Sequence, residues 1–120
     1  MTMAELSFAF DEQQQAVREL AARILSDKVT PESLRAIEDG DRWLHDDAWQ
    51  AFRDAQLVTI ALPEAYGGGG LGLIELCIMA EEIGRHVAPI PLIEHALACD
   101  AIVSSGSEAL RSRLAPLLSV

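Results

Sequence analysis

Hydrophobic residues recur at three- and four-residue steps through most of the chain, which is the pattern of helices that bury one face. In the first such stretch, Asp11 stands where it can cap a helix and Gln14 where it can complete a capping box. The helix is predicted to run to about Ser26. Its apolar stripe consists of Val17, Leu20, Ala21, Ile24 and Leu25.

Two shorter helical stretches follow. Thr30 and Pro31 open the second helix, with proline at a position where its missing N–H does no harm, and Gly40 ends it. Asp46 is predicted to cap the third helix. The residues that share one face of this helix are Ala48, Trp49, Phe52 and Ala55.

An apolar run, LVTIAL at residues 57–62, comes after the third helix. Periodicity alone does not separate a strand from an extended loop or a helix tail in so short a run. Because no second strand is predicted with which it could pair, we expect an isolated extended segment that packs on helices.

Four glycines, Gly67 to Gly70, then interrupt the helical pattern and predict a shaped loop, since glycine loses much backbone entropy on folding. A fourth, amphipathic helix is predicted after the loop. Its apolar positions are Leu73, Leu76, Cys77, Ala80, Ile83 and Gly84. Its charged residues fall mainly elsewhere around the helix, and they are Glu75, Glu81, Glu82 and Arg85.

The fifth predicted helix, at about residues 91–104, is apolar around nearly its whole circumference. Such a helix is buried on more than one side, either within its own domain or against another domain or a ligand. Ser107 caps a sixth helix, whose stripe comprises Leu110, Leu114, Leu117 and Leu118. About six helices without a paired strand predict an all-α fold.

Gly67, Gly69 and Gly72 also satisfy the dinucleotide-binding pattern G-x-G-x-x-G. Its context is missing. Four residues separate the apolar run from the first glycine, and no second strand with a ribose-binding acid follows about 20 residues on. The glycines therefore favour a loop over a nucleotide fold.

The order of features from Trp49 to Arg85 resembles the amino-terminal helical domain of the acyl-CoA dehydrogenases. The features are Trp49 on a short helix, the apolar run, the sequence PEAYGG at residues 63–68, a helix holding the pair Glu81-Glu82, and IGR at residues 83–85. Phe10 to Gln13 and Gly106 to Glu108 look like further family counterparts. One departure is Gln56, where the family usually has glycine, and it puts the local turn in doubt.

The resemblance implies an orthogonal helical bundle with a glycine-rich loop, covering residues 1–120 as one domain. In the family, a β-domain and a second helical domain follow and, with a neighbouring subunit, mainly hold FAD. The catalytic glutamate, which removes a proton from acyl-CoA while a hydride passes to the flavin, lies in that second helical domain. The apolar end at residues 116–118 suggests a chain cut where it would continue. We therefore expect this chain alone to be inactive and to bind no FAD.

In the family, the counterpart of the fifth helix lines the acyl-chain pocket, and pockets of this kind are largely apolar. The candidate substrate-binding residues are Leu92, His95, Ala96 and Cys99. In the alternative interpretation, His95 is half exposed and the other three are core. The resemblance leaves open an oxidase or a flavin monooxygenase relative, and the chain itself leaves open a non-catalytic interaction module or a short partner subunit.

The composition narrows the classes of partner. The net charge is −10 and the pI about 4.5, which argues against nucleic acid or an anionic membrane because phosphate binding needs clustered Lys and Arg. The amino terminus lacks a signal-peptide pattern, and no apolar stretch approaches the roughly 20 residues of a membrane span. Cys77 and Cys99 are interpreted as core thiols of a cytoplasmic protein.

No other catalytic or metal-binding group is predicted. His45, His86 and His95 share no metal-ligand spacing with a cysteine or an acid. Glu81 and Glu82 diverge by about 100° on a helix and cannot face each other as an acid–base pair. We expect one of them to form a salt bridge or to cap the neighbouring loop. Tyr66 is expected to hold the glycine loop through its hydroxyl, or to contact substrate or flavin.

Overall fold

A computed structural model of the chain describes residues 8–119. Residues 1–7 and Val120 lie outside the described residues. Residues 1–7 form most of the stretch in which the sequence shows no signal-peptide pattern. Within residues 8–119 the structure contains no strand, and the all-α prediction is confirmed. The helices are α1 (Glu12–Lys28), α2 (Pro31–Glu38), α3 (Asp46–Asp54), α4 (Leu73–Arg85), α5 (Leu92–Ser105) and α6 (Glu108–Leu114), with 3₁₀ turns at Glu64–Tyr66 and Ala115–Leu117.

The helix starts follow from local capping. The Asp11 carboxylate accepts the Gln14 N–H at 2.7 Å, and the Gln14 side chain accepts the Asp11 N–H at 3.0 Å, as predicted. Ser107 caps α6 in the same way, by accepting the Leu110 N–H at 3.1 Å. These bonds satisfy backbone donors that have no partner inside their helix.

The predicted cap of α3 is wrong. The buried His45 caps the helix, and its Nδ1 accepts the Ala48 N–H at 3.2 Å. Nε2 of the same ring lies 3.0 Å from the Ser33 hydroxyl of α2, so the ring also ties the two helices together. Asp46 is exposed and pairs with Arg42 instead.

Residues 57–62 form successive turns and not the extended segment expected from the sequence. The Leu62 N–H donates to the Thr59 carbonyl at 3.1 Å. The glycine loop folds back over these turns, where Gly69 N–H donates to Thr59 at 3.1 Å and Gly70 N–H to Leu62 at 2.8 Å. A Cβ at Gly68 would lie 2.2 Å from the Leu62 carbonyl oxygen, so only glycine permits this approach.

The ends of α3 and α4 share one geometry. Gln56 and Val87 follow the two helices with φ of 60° and 53°. Past them, Leu57 N–H donates to the Phe52 carbonyl and Ala88 N–H to the Ile83 carbonyl, which completes a Schellman motif at each end. The left-handed conformation of Gln56 explains why the family usually has glycine at this position. The turn that this departure put in doubt forms here with glutamine.

The core lies between α1, α3, α4 and the turns at residues 57–62. Phe52, Leu25, Met79 and Leu92 are its largest fully buried side chains. A smaller cluster joins Leu62, Cys99 and Leu118. The chain is therefore held by one main core, and α5 bridges it to the second cluster.

A buried carboxylate joins α4 to α1. Glu82, whose side chain is 3% exposed, accepts the Arg18 Nε–H at 3.1 Å, while Glu81 accepts from Nη2 of the same guanidinium at 2.9 Å. Arg85 also reaches Glu81, at 2.8 Å. The predicted salt bridge from this glutamate pair is confirmed. Because Glu82 is buried, these hydrogen bonds offset the cost of removing its carboxylate from water.

Glu82→Gln is expected to lower the free energy of unfolding by about 2 kcal/mol, because it weakens a buried, charge-assisted contact. Glu81→Gln is the matched control. Its side chain is 52% exposed, so the loss should stay below about 1 kcal/mol. Urea unfolding of the two variants measures the difference, and equal losses would contradict the assignment of Glu82 as the contact that orients α4.

Candidate functional site

An open groove of about 510 Å³ lies between α4, α5 and the turns at residues 57–62. It is the site of interest because nearly all of its walls are apolar, as expected for a pocket that takes an apolar ligand. Its lining residues are Val58, Ala61, Leu62, Pro63, Gly72, Leu73, Leu76, Cys77, Ile93, Ala96, Leu97, Cys99, Asp100, Val103 and Ser104.

The wall from α4 is the face that the sequence predicted to be buried. The structure instead turns Glu75, Ile78, Met79 and Glu82 inward, and Leu73 is left 72% exposed. The predicted stripe is thus only partly a core face, because Leu76 and Ile83 are half-buried against the main core whereas Leu73 and Cys77 are exposed. Both charged members of the inward face have partners there. Glu82 pairs with α1, and Glu75 accepts the Gly72 N–H at 3.0 Å as part of the helix cap.

The wall from α5 follows helical spacing. Ile93, Ala96, Leu97, Asp100, Val103 and Ser104 recur at three- and four-residue steps. Leu97 is 66% exposed in this wall, whereas Leu92 on another side of α5 is fully buried in the main core. The interpretation of α5 as a helix used on more than one side is therefore consistent with its surroundings.

The four predicted substrate-binding residues separate into two pairs. Ala96 and Cys99 line the groove. Leu92 belongs to the main core. His95 packs edge-on against Trp49, with ring centroids 5.5 Å apart. Leu73 and Leu97 also line the groove, but they were not among the candidate substrate-binding residues predicted from the sequence. The signal that could have indicated them was the excess of apolar residues on both helices.

His95 and Cys99 form a polar contact behind the groove wall, with His95 Nε2 3.4 Å from Cys99 Sγ. Burial lowers the pKa of His95, the nearby Arg53 lowers it further, and the Leu118 carbonyl opposes them. Burial raises the pKa of the Cys99 thiol. A neutral imidazole beside a protonated thiol makes a structural contact and not an activated nucleophile.

Tyr66 holds the glycine loop against the end of the chain. Its hydroxyl lies 3.5 Å from Arg111 Nη1, which is equally far from the Val103 carbonyl. This contact agrees with the expected structural role of the tyrosine. Among residues 8–119, no group of three or more His, Cys, Asp or Glu side chains is arranged to hold a metal ion.

Residues 11–119 match the family model described as acyl-CoA dehydrogenase, N-terminal domain. The chain belongs to the acyl-CoA dehydrogenase family. This is the family whose amino-terminal helical domain the glycine loop and the Glu81-Glu82 helix resemble, and acyl-CoA dehydrogenases are oxidoreductases that generally use FAD.

Individual relatives agree with this assignment. Acyl-CoA dehydrogenase IpdE2 of Mycolicibacterium smegmatis is 27% identical over 96 residues, which cover 79% of this chain and 31% of that protein. The mitochondrial isovaleryl-CoA dehydrogenase of Oryza sativa subsp. japonica is 30% identical over 116 residues, covering 93% and 28%. The solved structure of a Tcur3481-Tcur3483 steroid ACAD variant superposes with a TM-score of 0.79 at 38% identity, covering 90% of this chain and 30% of that chain. The chain thus spans about a third of the length of the relatives it matches.

Among the described residues, the groove has no cationic side chain that could hold the pyrophosphate of FAD. The pyrophosphate of FAD is held by cationic side chains or by free backbone N–H groups. Among the lining residues within 8–119, Asp100 is the charged side chain, and it is anionic. The Gly72 N–H at the start of α4 is already taken by Glu75. The charge of the described lining therefore does not fit the pyrophosphate of FAD.

His95 is expected to make stability depend on pH. Its folded pKa lies below the ordinary value of about 6.5, so the unfolded chain takes up the proton first as the pH falls. Stability from the neutral ring is complete above about pH 6.5 and is lost progressively below it. We expect His95→Gln to flatten the fall in unfolding free energy between about pH 7 and pH 5. Chemical unfolding at several pH values tests this, and identical slopes for both proteins would refute it.

Proposed function

We propose that this chain is the amino-terminal helical domain of a FAD-dependent acyl-CoA dehydrogenase, and that the groove between α4 and α5 forms part of its acyl-chain pocket. The observation that carries the proposal is the apolar groove itself, in which Leu73 and Leu97 stay largely exposed in a chain of this family. Exposed apolar residues that share one groove indicate a ligand or partner surface.

In the proposed enzyme, the remaining domains or a partner subunit supply the FAD site and the glutamate that removes the α-proton of the acyl-CoA. The chain by itself is inactive and contributes walls that bind the acyl group and exclude water from it. We place the enzyme in the cytoplasm because its two cysteines are free thiols. The family supports an oligomer, and the acidic composition supports an enzyme that does not bind nucleic acid. No helix among the described residues has the length and apolar character to span a membrane.

The names of the relatives suggest which acyl groups a binding assay should compare. One relative carries the name steroid ACAD and others the name isovaleryl-CoA dehydrogenase. A ring-bearing group and a short branched group therefore both belong in the binding assay, beside a linear chain. The groove volume of about 510 Å³ supports the larger groups.

Cys77 provides a direct test with the chain as it exists. This thiol is exposed and lines the groove, so its prediction as a core thiol is wrong. Cys99 also lines the groove but is buried, and it is expected to react slowly with or without ligand. A decanoyl pantetheine thioester is expected to slow alkylation of Cys77 by iodoacetamide several-fold, because a bound acyl chain covers the thiol. Mass spectrometry of the two cysteine peptides measures the rates.

Leu97→Asp should abolish this protection, because it places a charge in the apolar wall. Ile74→Asp is the matched control, since Ile74 is 57% exposed on the opposite helix but does not line the groove. Unchanged Cys77 rates with every acyl thioester would refute the acyl pocket and favour the alternative of a non-catalytic interaction module.

A further inference from the structure

The mostly apolar lining of the groove includes one polar side-chain pair on α5. Asp100 and Ser104 lie one turn apart on α5, and both line the groove. The Ser104 hydroxyl donates to Asp100 Oδ1 at 3.1 Å. The hydroxyl proton is thus committed to the carboxylate, so the pair presents acceptor oxygens to whatever occupies the groove.

The position of this pair sets it apart from the apolar part of the wall. Asp100 is seven residues beyond Ile93 on the same face, a distance of about 10 Å along the helix. Ile93, Ala96 and Leu97 fill that interval with apolar surface. A ligand that lies along α5 therefore contacts apolar side chains near the start of the helix and the Asp100 carboxylate about 10 Å farther along it.

Charge decides which end of an acyl-CoA can approach Asp100. The CoA moiety carries phosphates, and like charges brought together are unfavourable. The phosphates are therefore expected to lie away from this pair, which is consistent with the distal end of the acyl group lying beside it.

We propose that Asp100, with Ser104, selects acyl groups whose distal end carries a hydroxyl. This inference rests on the proposed acyl pocket and specifies its substrate class. A hydroxyl can donate to the second oxygen of the carboxylate. A methyl end would partly desolvate the second carboxylate oxygen without giving it a hydrogen-bond donor, and a terminal carboxylate would be repelled.

The test compares three ligands on the 120-residue chain, each of which carries uncharged pantetheine in place of CoA. They are the thioester of decanoic acid, the thioester of ω-hydroxydecanoic acid and the mono-thioester of decanedioic acid, which keeps one free carboxylate. Pantetheine removes the CoA phosphates, so differences in affinity report the distal end. We expect the hydroxyl-ended ligand to bind about five- to tenfold more tightly than the methyl-ended one, as a hydrogen bond to a charged acceptor allows. The carboxylate-ended ligand should bind most weakly.

Asp100→Leu should remove the preference for the hydroxyl-ended ligand. It should also bring the affinity for the carboxylate-ended ligand closer to that for the methyl-ended ligand than in the wild type. Asp100→Asn keeps an acceptor without the charge and should retain a smaller preference. Glu94→Leu is the matched control, because it removes a carboxylate of the same helix that does not line the groove. Isothermal titration measures the affinities, and circular dichroism confirms that the exposed substitutions leave the fold intact.

The outcomes separate the two proposals. If the methyl-ended ligand binds wild type as well as the hydroxyl-ended one, the selectivity of Asp100 is wrong while the acyl pocket stands. If Glu94→Leu removes the preference as fully as Asp100→Leu, the selectivity is also wrong, since it would then reflect the charge of the helix in general. If no acyl ligand binds, both the pocket and the selectivity are wrong for this chain.

Discussion

The orientation of α4 depends on one buried ion pair. Glu82 is nearly inaccessible to solvent and accepts from Arg18 of α1, so the face of α4 that carries it must turn toward α1. Ile78 and Met79 follow Glu82 into the core, because they lie on the same face. Leu76 and Ile83 also pack partly against this core, while the side of α4 that carries Leu73 and Cys77 becomes one wall of the groove. A charged contact thus decides where the hydrophobic surface is left open.

The other walls depend on backbone contacts and on a helix that is apolar on several sides. The glycine loop takes the carbonyl groups of residues 59, 60 and 62, which holds this segment as turns beneath the groove. Side chains at Gly68 would prevent that approach. On α5, Leu92 anchors the helix in the main core while Leu97 remains exposed in the groove. The same helix therefore serves stability and the candidate site.

The sequence was sufficient for the features that local physics determines. The capping box at Asp11, the cap at Ser107 and the glycine loop each follow from residues close together in the chain, and the resemblance added the family. Features that depend on distant partners were not predictable in this way. The inward face of α4 is set by Arg18, more than sixty residues earlier, and the turns at residues 57–62 are set by the glycine loop.

The candidate site shows the same division. Ala96 and Cys99 lie in the groove wall, whereas Leu92 and His95 lie elsewhere. Leu92 shares a helical stripe with Ala96 and Cys99 but packs in the main core, which depends on distant partners that periodicity does not reveal. The central claim, that this groove receives an acyl chain, is tested most directly by nuclear Overhauser contacts between a bound decanoyl thioester and the protein. The account predicts contacts from the ligand methylenes to the methyl groups of Leu73 and Leu97. Contacts instead to Ala16 and Leu20, which line a second groove beside α1, would contradict it.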